Sequence, residues 1–169
     1  MTATPDEMRD TLRLWASGVS VVTTADGDRR AGMTVSAFNS LSIDPPLVLV
    51  CLHKDATTSQ LLQETKLFAV SVLAEHQTEI SDRFAGRVPL DSKEERFIGV
   101  PIRTIVTGSP ILAECVAWLD CKVQEQYDGS SHWIVVGEVL ATGYYPDRRP
   151  LLYYNRGYHS LGEGVFALP

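Results

Sequence analysis

The sequence has few residues of the kinds that build covalent or metal-held frameworks. Of its 169 residues, three are cysteine and four are histidine. Cys51, Cys115 and Cys121 form no Cys-x-x-Cys pair, and the histidines are widely spaced. An odd number of cysteines without that spacing argues against a disulfide framework and against a zinc site. We therefore expect reduced thiols that serve as packing residues, and no metal centre.

The sequence also lacks long apolar runs and an excess of basic charge. Its longest relevant apolar run covers residues 47–52, whereas a membrane-spanning helix needs about 20 residues. Asp6, Glu7 and Asp10 occupy the region where a signal peptide would be apolar. The 15 Lys and Arg residues against 21 Asp and Glu give a net charge of −6, which disfavours nucleic acid or an anionic membrane as a partner. These features predict a cytoplasmic protein without either partner.

The motifs of several large enzyme classes are missing. The sequence has no Gly-x-Gly-x-x-Gly after a strand, no phosphate-loop Gly-Lys-Ser/Thr, no Gly-x-Ser-x-Gly and no His-Glu-x-x-His. A nucleotide bound in the Rossmann manner is therefore disfavoured.

What is present suits one globular domain over residues 1–169, because 44% of the residues are apolar. Helices are expected over residues 5–17, 58–64 and 77–84, with a helical turn at 92–95. In the first helix, Met8, Leu12 and Trp15 form an apolar stripe. Asp55 or Thr57 is expected to cap the second.

Runs of β-branched and alternating apolar residues indicate six or seven strands. They are expected over residues 18–24, 30–43, 47–52, 67–73, 111–123, 132–144 and 151–153. Every odd position of 111–123 is apolar, which predicts one long strand with Asp120 on its solvent face. Asp128 and Gly129 are expected to form the turn that follows. Without alternating βαβα units, we expect a mainly β fold with short helices and a closed or partly closed antiparallel barrel.

Residues 32–40 carry small and hydroxyl side chains where a strand would favour bulky ones. One interpretation is a bulged strand whose Thr34 and Ser36 face solvent. The other is a planar, neutral ligand against the strand, because small side chains permit contact with a ring plane and amides and hydroxyls can bond its edge. A flavin ring has that character.

A second hydroxyl cluster, residues 57–59, falls at the start of an expected helix. It is explained by ordinary capping or by a phosphate bound at the helix N-terminus. Residues 84–86 and 93–97 could add a wall and cationic groups for the same ligand, or form a solvated charged loop.

Six segments taken together resemble the flavin reductase-like domain family, the short-chain reductase components of two-component flavin monooxygenases. They are GVSVVTT (18–24), GMTVSAF (32–38), DPPLV (44–48), FAG (84–86), ERF (95–97) and HWIVVGEV (132–139). The resemblance implies an FMN-binding split barrel with Greek-key connections and a homodimer. It implies reduction of FMN or FAD by NADH or NADPH, with reduced flavin passed to a separate flavin-dependent monooxygenase.

The resemblance also implies roles for individual residues. Flavin-binding and neighbouring positions would be Thr34, Val35, Ser36, Ala37, Cys51, Leu52, His53, Thr57, Ser59, Phe84, Ala85, Gly86, His132 and Tyr158. His132 would lie near the nicotinamide as the catalytic-site residue. Related proteins often have an acidic residue before this histidine, where Ser131 stands here.

Hydride transfer belongs to the two cofactors, so the protein needs alignment more than acid–base chemistry. We therefore expect His132 to stack or to form hydrogen bonds rather than to donate a proton; a plain turn histidine is the alternative. Two other functions remain open from the residues. One is a flavoenzyme that reduces another acceptor, such as a corrinoid or ferric chelate, and the other is a non-catalytic flavin-binding electron-transfer protein.

Overall fold

The computed structural model describes residues 2–92 and 94–162. Within them the helices are α1 (Pro5–Leu12), α2 (Thr57–Thr65), α3 (Thr78–Phe84) and a 3₁₀ helix (Glu94–Phe97). The strands are β1 (Ser17–Gly18), β2 (Ser20–Asp26), β3 (Arg29–Val35), β4 (Phe38–Ser42), β5 (Leu47–His53), β6 (Leu67–Val72), β7 (Ile102–Arg103), β8 (Ile111–Leu112), β9 (Ala117–Gly129), β10 (His132–Tyr144), β11 (Leu152–Tyr154) and β12 (Gly157–His159). No helix in these described ranges is both long and apolar enough to cross a membrane.

Seven strands form the main sheet, in the order β3-β2-β6-β9-β10-β5-β4, with antiparallel neighbours throughout. Its edge strands β3 and β4 are joined by Ser36 and Ala37 alone. A flat sheet of this size would separate its edges by about 29 Å, whereas the link reaches only about 10 Å. The sheet therefore curls until its edges meet, which makes a partly closed barrel. We call the Ser36–Ala37 junction the seam.

The barrel interior is filled by apolar side chains from opposite strands. Val22, Val50, Phe68 and Val135 are fully buried there, and Leu62 of α2 joins them. A second cluster includes Phe84 and Phe97, whose rings meet edge to face at 5.0 Å. This second cluster fixes the end of α3 beside β3.

The first helix differs from the expectation. It ends at Leu12 rather than at residue 17, and none of its residues is buried. A capping box between Thr4 and Glu7 starts it. The stripe of Met8, Leu12 and Trp15 is exposed, because the helix lies outside the barrel with no core to cover.

The expected long strand over 111–123 is wrong. Two strands, β8 and β9, occupy this region, and Glu114 between them has a φ of 62° that breaks the extended backbone. Asp120 is fully buried rather than solvent-facing. Its carboxylate accepts hydrogen bonds from Val106 N at 2.7 Å, Thr107 N at 3.0 Å and the Thr107 hydroxyl. These hydrogen bonds stabilise the buried carboxylate and anchor the loop at residues 106–107 to β9.

Two local predictions also fail. The N-cap of α2 is Ala56, with no capping side chain, so neither Asp55 nor Thr57 has that role. Asp128 and Gly129 belong to β9, and Ser130 with Ser131 forms the turn into β10. The Asp128 carboxylate accepts from Ser130 N at 2.8 Å and so supports this turn.

Candidate functional site

Two neighbouring cavities lie where β3, α2 and α3 meet. The seam cavity, of about 160 Å³, is lined by Val19, Thr34, Val35, Ser36, Ser81, Ala85, Arg87, Tyr153 and Tyr158. The helix cavity, of about 190 Å³, is lined by Met33, Thr34, Ala56, Thr57, Thr58, Phe84, Ala85 and Arg96. Thr34 and Ala85 line both, so the two cavities adjoin.

The junction of β3 with α3 shapes the floor of both cavities. The Thr34 hydroxyl donates to Ser81 O at 2.7 Å and holds the strand to the helix. A Cβ on Gly32 would lie 2.7 Å from the Phe84 ring. Only glycine therefore lets Phe84 pack this closely on β3, and this packing sets the position of Ala85 and Gly86.

A network of one guanidinium, one carboxylate and two phenols forms one wall of the seam cavity. Arg87 donates to Asp82 Oδ1 at 2.9 Å and to the Tyr153 hydroxyl at 3.3 Å, and the Tyr158 hydroxyl donates to the same Asp82 oxygen at 2.6 Å. The bond from Tyr158, aided by Arg87, lowers the pKa of Asp82. Burial raises the pKa of Tyr158. The wall therefore presents an ion pair between Arg87 and Asp82, with the Tyr153 and Tyr158 hydroxyls bonded to it.

The helix cavity combines backbone amides with a cation. The first turn of α2 contributes Thr57 and Thr58. Arg96 donates to Gly32 O at 2.8 Å, which fixes its guanidinium at the cavity. Burial lowers the pKa of Arg96, but a guanidinium stays charged at neutral pH. A helix N-terminus together with a fixed guanidinium suits an anionic group.

Several residues expected at the site are gathered here, and others are not. Thr34, Val35, Ser36, Ala85 and Tyr158 line the seam cavity, and Thr57 and Phe84 line the helix cavity. Ala37 lies at the seam, and its carbonyl accepts from Cys51 N at 3.0 Å. A Cβ on Gly86 would lie 3.1 Å from Arg96 Nη2, so Gly86 borders the helix cavity.

Leu52 and Ser59 make contacts within the fold and do not line either cavity. Leu52 is fully buried in the barrel core. The Ser59 hydroxyl donates to His53 O at 2.7 Å and ties α2 to the end of β5. Arg87 and Tyr153 complete the seam cavity without having been singled out, because nothing in their local sequence distinguishes them from surface residues. Of the expected cationic segment 93–97, Arg96 reaches the site, and Lys93 lies outside the described residues.

His132, expected near the nicotinamide, faces His53, expected beside the flavin. His53 of β5 pairs with His132 of β10, and their rings meet edge to face at 5.1 Å. His53 Nδ1 accepts from Asp55 N at 3.3 Å, and Ser131 Oγ lies 2.9 Å from His132 Nδ1. Neither ring lines the two cavities. Through Ser59, however, the pair is joined to the first turn of α2.

Comparison with known proteins identifies the family of this chain. Residues 12–162 match the flavin reductase like domain. The chain belongs to this family. FMN reductase (NADH) RutF of Bradyrhizobium diazoefficiens is 32% identical over 158 residues, covering 94% of this chain and 86% of that protein. The flavin-dependent monooxygenase reductase subunit HsaB of Rhodococcus jostii is 34% identical over 157 residues, covering 93% and 78%.

A solved structure with this fold carries both kinds of ligand. The NADH:FAD oxidoreductase SgcE6 of Streptomyces globisporus, in complex with NAD and FAD fragments, matches with a TM-score of 0.87 at 31% identity, covering 98% of this chain and 99% of that one. These matches confirm the resemblance, the split-barrel fold and the class of NAD(P)H:flavin oxidoreductase. The flavin reductase-like chain therefore has the fold and enzyme class predicted from its sequence.

Proposed function

We propose that this flavin reductase-like protein uses NADH to reduce FMN or FAD at the two adjoining cavities. The reduced flavin then passes to a separate flavin-dependent monooxygenase. The observation that carries this proposal is the junction at Thr34 and Ala85, which joins a cavity suited to a ring with a cavity suited to a phosphate. The names of the relatives RutF and HsaB supply the donor and the kind of partner.

The residues of the seam cavity fit a flavin ring. Ser36 and Ala85 are small enough for close contact with a planar group. The hydroxyl oxygens of Thr34 and Tyr158, whose protons are donated to Ser81 O and Asp82, can accept hydrogen bonds at its edge. Arg87 supplies a cation for the electron-rich end of the ring. A bound flavin supplies the hydride-accepting atom, and the chain's own residues hold that ring in place and shield one face from water.

The residues of the helix cavity fit the phosphate. The amides that open α2 and the guanidinium of Arg96 converge on one space, and both favour an anion. Ser59 is not needed for this role, since its hydroxyl already bonds to His53 O.

We assign the nicotinamide end to the surface beside His53 and His132. Both imidazoles are at least partly exposed, so they offer a flat face and ring nitrogens to an incoming ligand. In this proposal His132 aligns the donor, and the hydride moves directly between the two redox rings.

Anaerobic oxidation of NADH, with and without added FMN, FAD or a ferric chelate, tests the function. We expect turnover that depends on added flavin. Turnover of the chelate without flavin, or no turnover with any flavin, would contradict the proposal. Ser36→Trp tests the site: the indole should fill the seam cavity and abolish flavin binding in a folded protein, whereas Ser40→Trp, on the exposed part of β4, should bind flavin normally.

A homodimer is part of the proposal, and the family resemblance supports it. The alternating apolar residues Ile111, Cys115 and Cys121 offer no contact face, because they are buried inside the chain. The exposed apolar residues Ile43, at 86% exposure, and Leu140 offer another contact surface. They lie near each other because Val139 N donates to Pro46 O at 2.9 Å. Light scattering should give twice the 18.6 kDa chain mass, and Ile43→Glu should lower it.

We place the protein in the cytoplasm. The described cysteines are free thiols, two of them buried, and such thiols persist in a reducing compartment. The proposed donor NADH is found in the same compartment.

A further inference from the structure

A positively charged patch lies outside the barrel core, on the face of β9 where Trp118 packs with Cys115. The guanidinium of Arg148 lies 3.9 Å from the centroid of the Tyr145 ring. Arg103 lies 5.8 Å from the same centroid and 5.0 Å from that of Trp118. Burial raises the pKa of the Cys115 thiol, and the charges of both arginines oppose this rise. The two guanidinium groups therefore lie near each other, in what we call the arginine patch (Arg103, Trp118, Tyr145 and Arg148).

Packing and hydrogen bonds hold part of the patch in place. A Cβ on Gly143 would lie 2.7 Å from the Trp118 indole, so only glycine lets the indole lie this close to β10. Arg148 N donates to Tyr145 O at 3.2 Å, and Arg148 Nη1 donates to Cys115 O at 2.7 Å. A guanidinium has five N–H donors, so donors of Arg148 remain for a ligand while the bond to Cys115 O keeps the group in position.

No carboxylate of the described residues neutralises the two guanidinium groups. Arg103 and Arg148 are absent from every ion pair among those residues. Asp147 precedes Arg148 in the chain but does not pair with it, and the Asp120 carboxylate is bonded to the loop at residues 106–107. On a protein with a net charge of −6, the patch is therefore a local positive surface.

The surroundings of the patch suit a protein partner. Ile105 and Val106, which follow Arg103 in the chain, are exposed apolar residues. Tyrosine, tryptophan and arginine contribute most of the binding energy at protein interfaces. Two cations are too few for nucleic acid or an anionic membrane, which proteins bind through many basic contacts. Guanidinium groups pair with carboxylates through two parallel hydrogen bonds, so an acidic protein segment is the ligand that fits.

The patch lies at the same end of the strands as the seam. Val35, directly before the seam, pairs with Ser20, and Ser20 pairs with Val72. Val72 pairs with Ala117, and Ala117 pairs with Tyr144, at the end of β10 that leads to the patch. Neighbouring strands lie about 4.8 Å apart, so this row places the patch within roughly 20 Å of the seam along the sheet. A protein bound at the patch would be close to the proposed flavin site and leave the seam open, because β2 and β6 lie between them.

We propose that the arginine patch binds an acidic segment of the separate flavin-dependent monooxygenase. Carboxylates of that segment pair with the two guanidinium groups, and its apolar side chains contact the neighbouring aromatic and aliphatic residues. The identity of the partner rests on the proposed function, but the affinity of the patch for an acidic segment does not. Docking here holds the monooxygenase beside the seam from which reduced flavin leaves.

Binding of a fluorophore-labelled octaglutamate peptide, measured by fluorescence anisotropy, tests the patch directly. We expect the Arg103→Gln/Arg148→Gln double variant to weaken binding tenfold or more. The matched control Arg30→Gln/Lys122→Gln removes the same two charges from exposed positions on β3 and β9 and should bind like the unaltered protein. Equal losses in the two double variants would show that net charge alone matters and would overturn the proposal. Failure of the unaltered protein to bind millimolar peptide would also overturn it.

A single variant separates binding from folding. Among the described residues, the Arg103 guanidinium makes ring contacts and no hydrogen bond, so Arg103→Gln should keep the fold. We expect it to weaken peptide binding threefold or more, with an unchanged circular dichroism spectrum. Its oxidation of NADH with free FMN should equal that of the unaltered protein, because the patch lies outside the flavin site. Normal peptide binding by this folded variant would contradict the role of Arg103.

Further measurements identify the class of partner. An octathymidine oligonucleotide that binds more tightly than the peptide would point to nucleic acid and overturn the proposal. A lower mass of the double variant in light scattering would show that the patch contacts a second copy of this chain, which also overturns it. With the cognate monooxygenase, product formed per NADH should fall at least twofold in the double variant and stay constant in the control; an equal yield would refute this partner. Peptide binding without NADH oxidation by any flavin supports the patch and defeats the proposed function.

Discussion

Arg96 shows how a single residue determines which part of a ligand is recognised. Its guanidinium is fixed by Gly32 O at the helix cavity, where we place a phosphate. Arg96→Gln should weaken FMN binding by about tenfold or more, because a charged hydrogen bond contributes about 1.5–3 kcal/mol. Riboflavin, which has the same ring and no phosphate, should bind equally well to both forms. Fluorescence titration with FMN and riboflavin tests this prediction. Equal losses of affinity for the two ligands would show that the phosphate binds elsewhere.

His132 should affect the donor rather than the flavin. His132→Ala removes one or two contacts of about 1 kcal/mol each, so kcat/KM for NADH should fall roughly 5- to 30-fold. Flavin affinity should hardly change. An obligatory proton donor would instead lower kcat, and the loss would depend on pH. Steady-state kinetics across pH separate these results, and an unaltered kcat/KM would refute a role for this ring.

Individual site residues differ in how far sequence reveals them. Thr34 and Ser36 were predictable because small hydroxyl residues are unusual in a strand. Arg87 was not, since one arginine after a glycine looks like any loop charge. Its position beside Tyr153 depends on contacts across about 66 positions of chain. Leu52 was expected at the site, but alternation along β5 turns its side chain into the core.

At the scale of elements, close packing across the main sheet depends on a glycine. Phe68 of β6 occupies the space above Gly137 of β10, and a Cβ there would lie 2.4 Å from its ring. Gly137→Ala should lower the free energy of unfolding by about 1–3 kcal/mol, because the buried ring cannot move aside. Gly18→Ala is the matched control, because a Cβ at position 18 would meet no other atom within 4 Å. Urea unfolding should give a lower midpoint for Gly137→Ala than for Gly18→Ala. Equal midpoints would show that the Phe68 ring can accommodate a Cβ at position 137.

Strands with a strong local signal were predicted well. The bounds of β10 were predicted from its valine-rich run, and β5 and β6 to within a residue. The prediction for 111–123 failed because alternation cannot report a break at Glu114 or an inward carboxylate at Asp120. The Asp120 carboxylate anchors the loop at Val106 and Thr107, which local sequence does not reveal. For α1, helical spacing correctly predicted a helix, but the apolar stripe of that helix is exposed rather than buried.

For the whole molecule, thiol reactivity should report global unfolding. Burial raises the pKa of Cys121 to about 12, with Asp120 adding to the shift. At pH 8 only about one Cys121 in ten thousand is therefore a thiolate, the reactive form. Cys51 is half-buried and should label first with a thiol reagent, whereas Cys115 and Cys121 should label only after unfolding. Rapid labelling of all three in the native protein would contradict this, and mass spectrometry can count the modified sites.

The seam has a consequence for the stability of the barrel as a whole. Edge strands β3 and β4 have one unpaired side each, and a two-residue link is what joins them. A flavin bound there would contact both strands, and binding to the folded state alone stabilises it by about 2.7 kcal/mol at a hundred times Kd. Amide hydrogen exchange in β3 and β4 should slow when FMN is added, with smaller changes in central β9. In the free protein, the strands beside the seam would then open locally more often than the central strands. Each catalytic cycle would stabilise the seam when flavin binds and destabilise it again when flavin leaves.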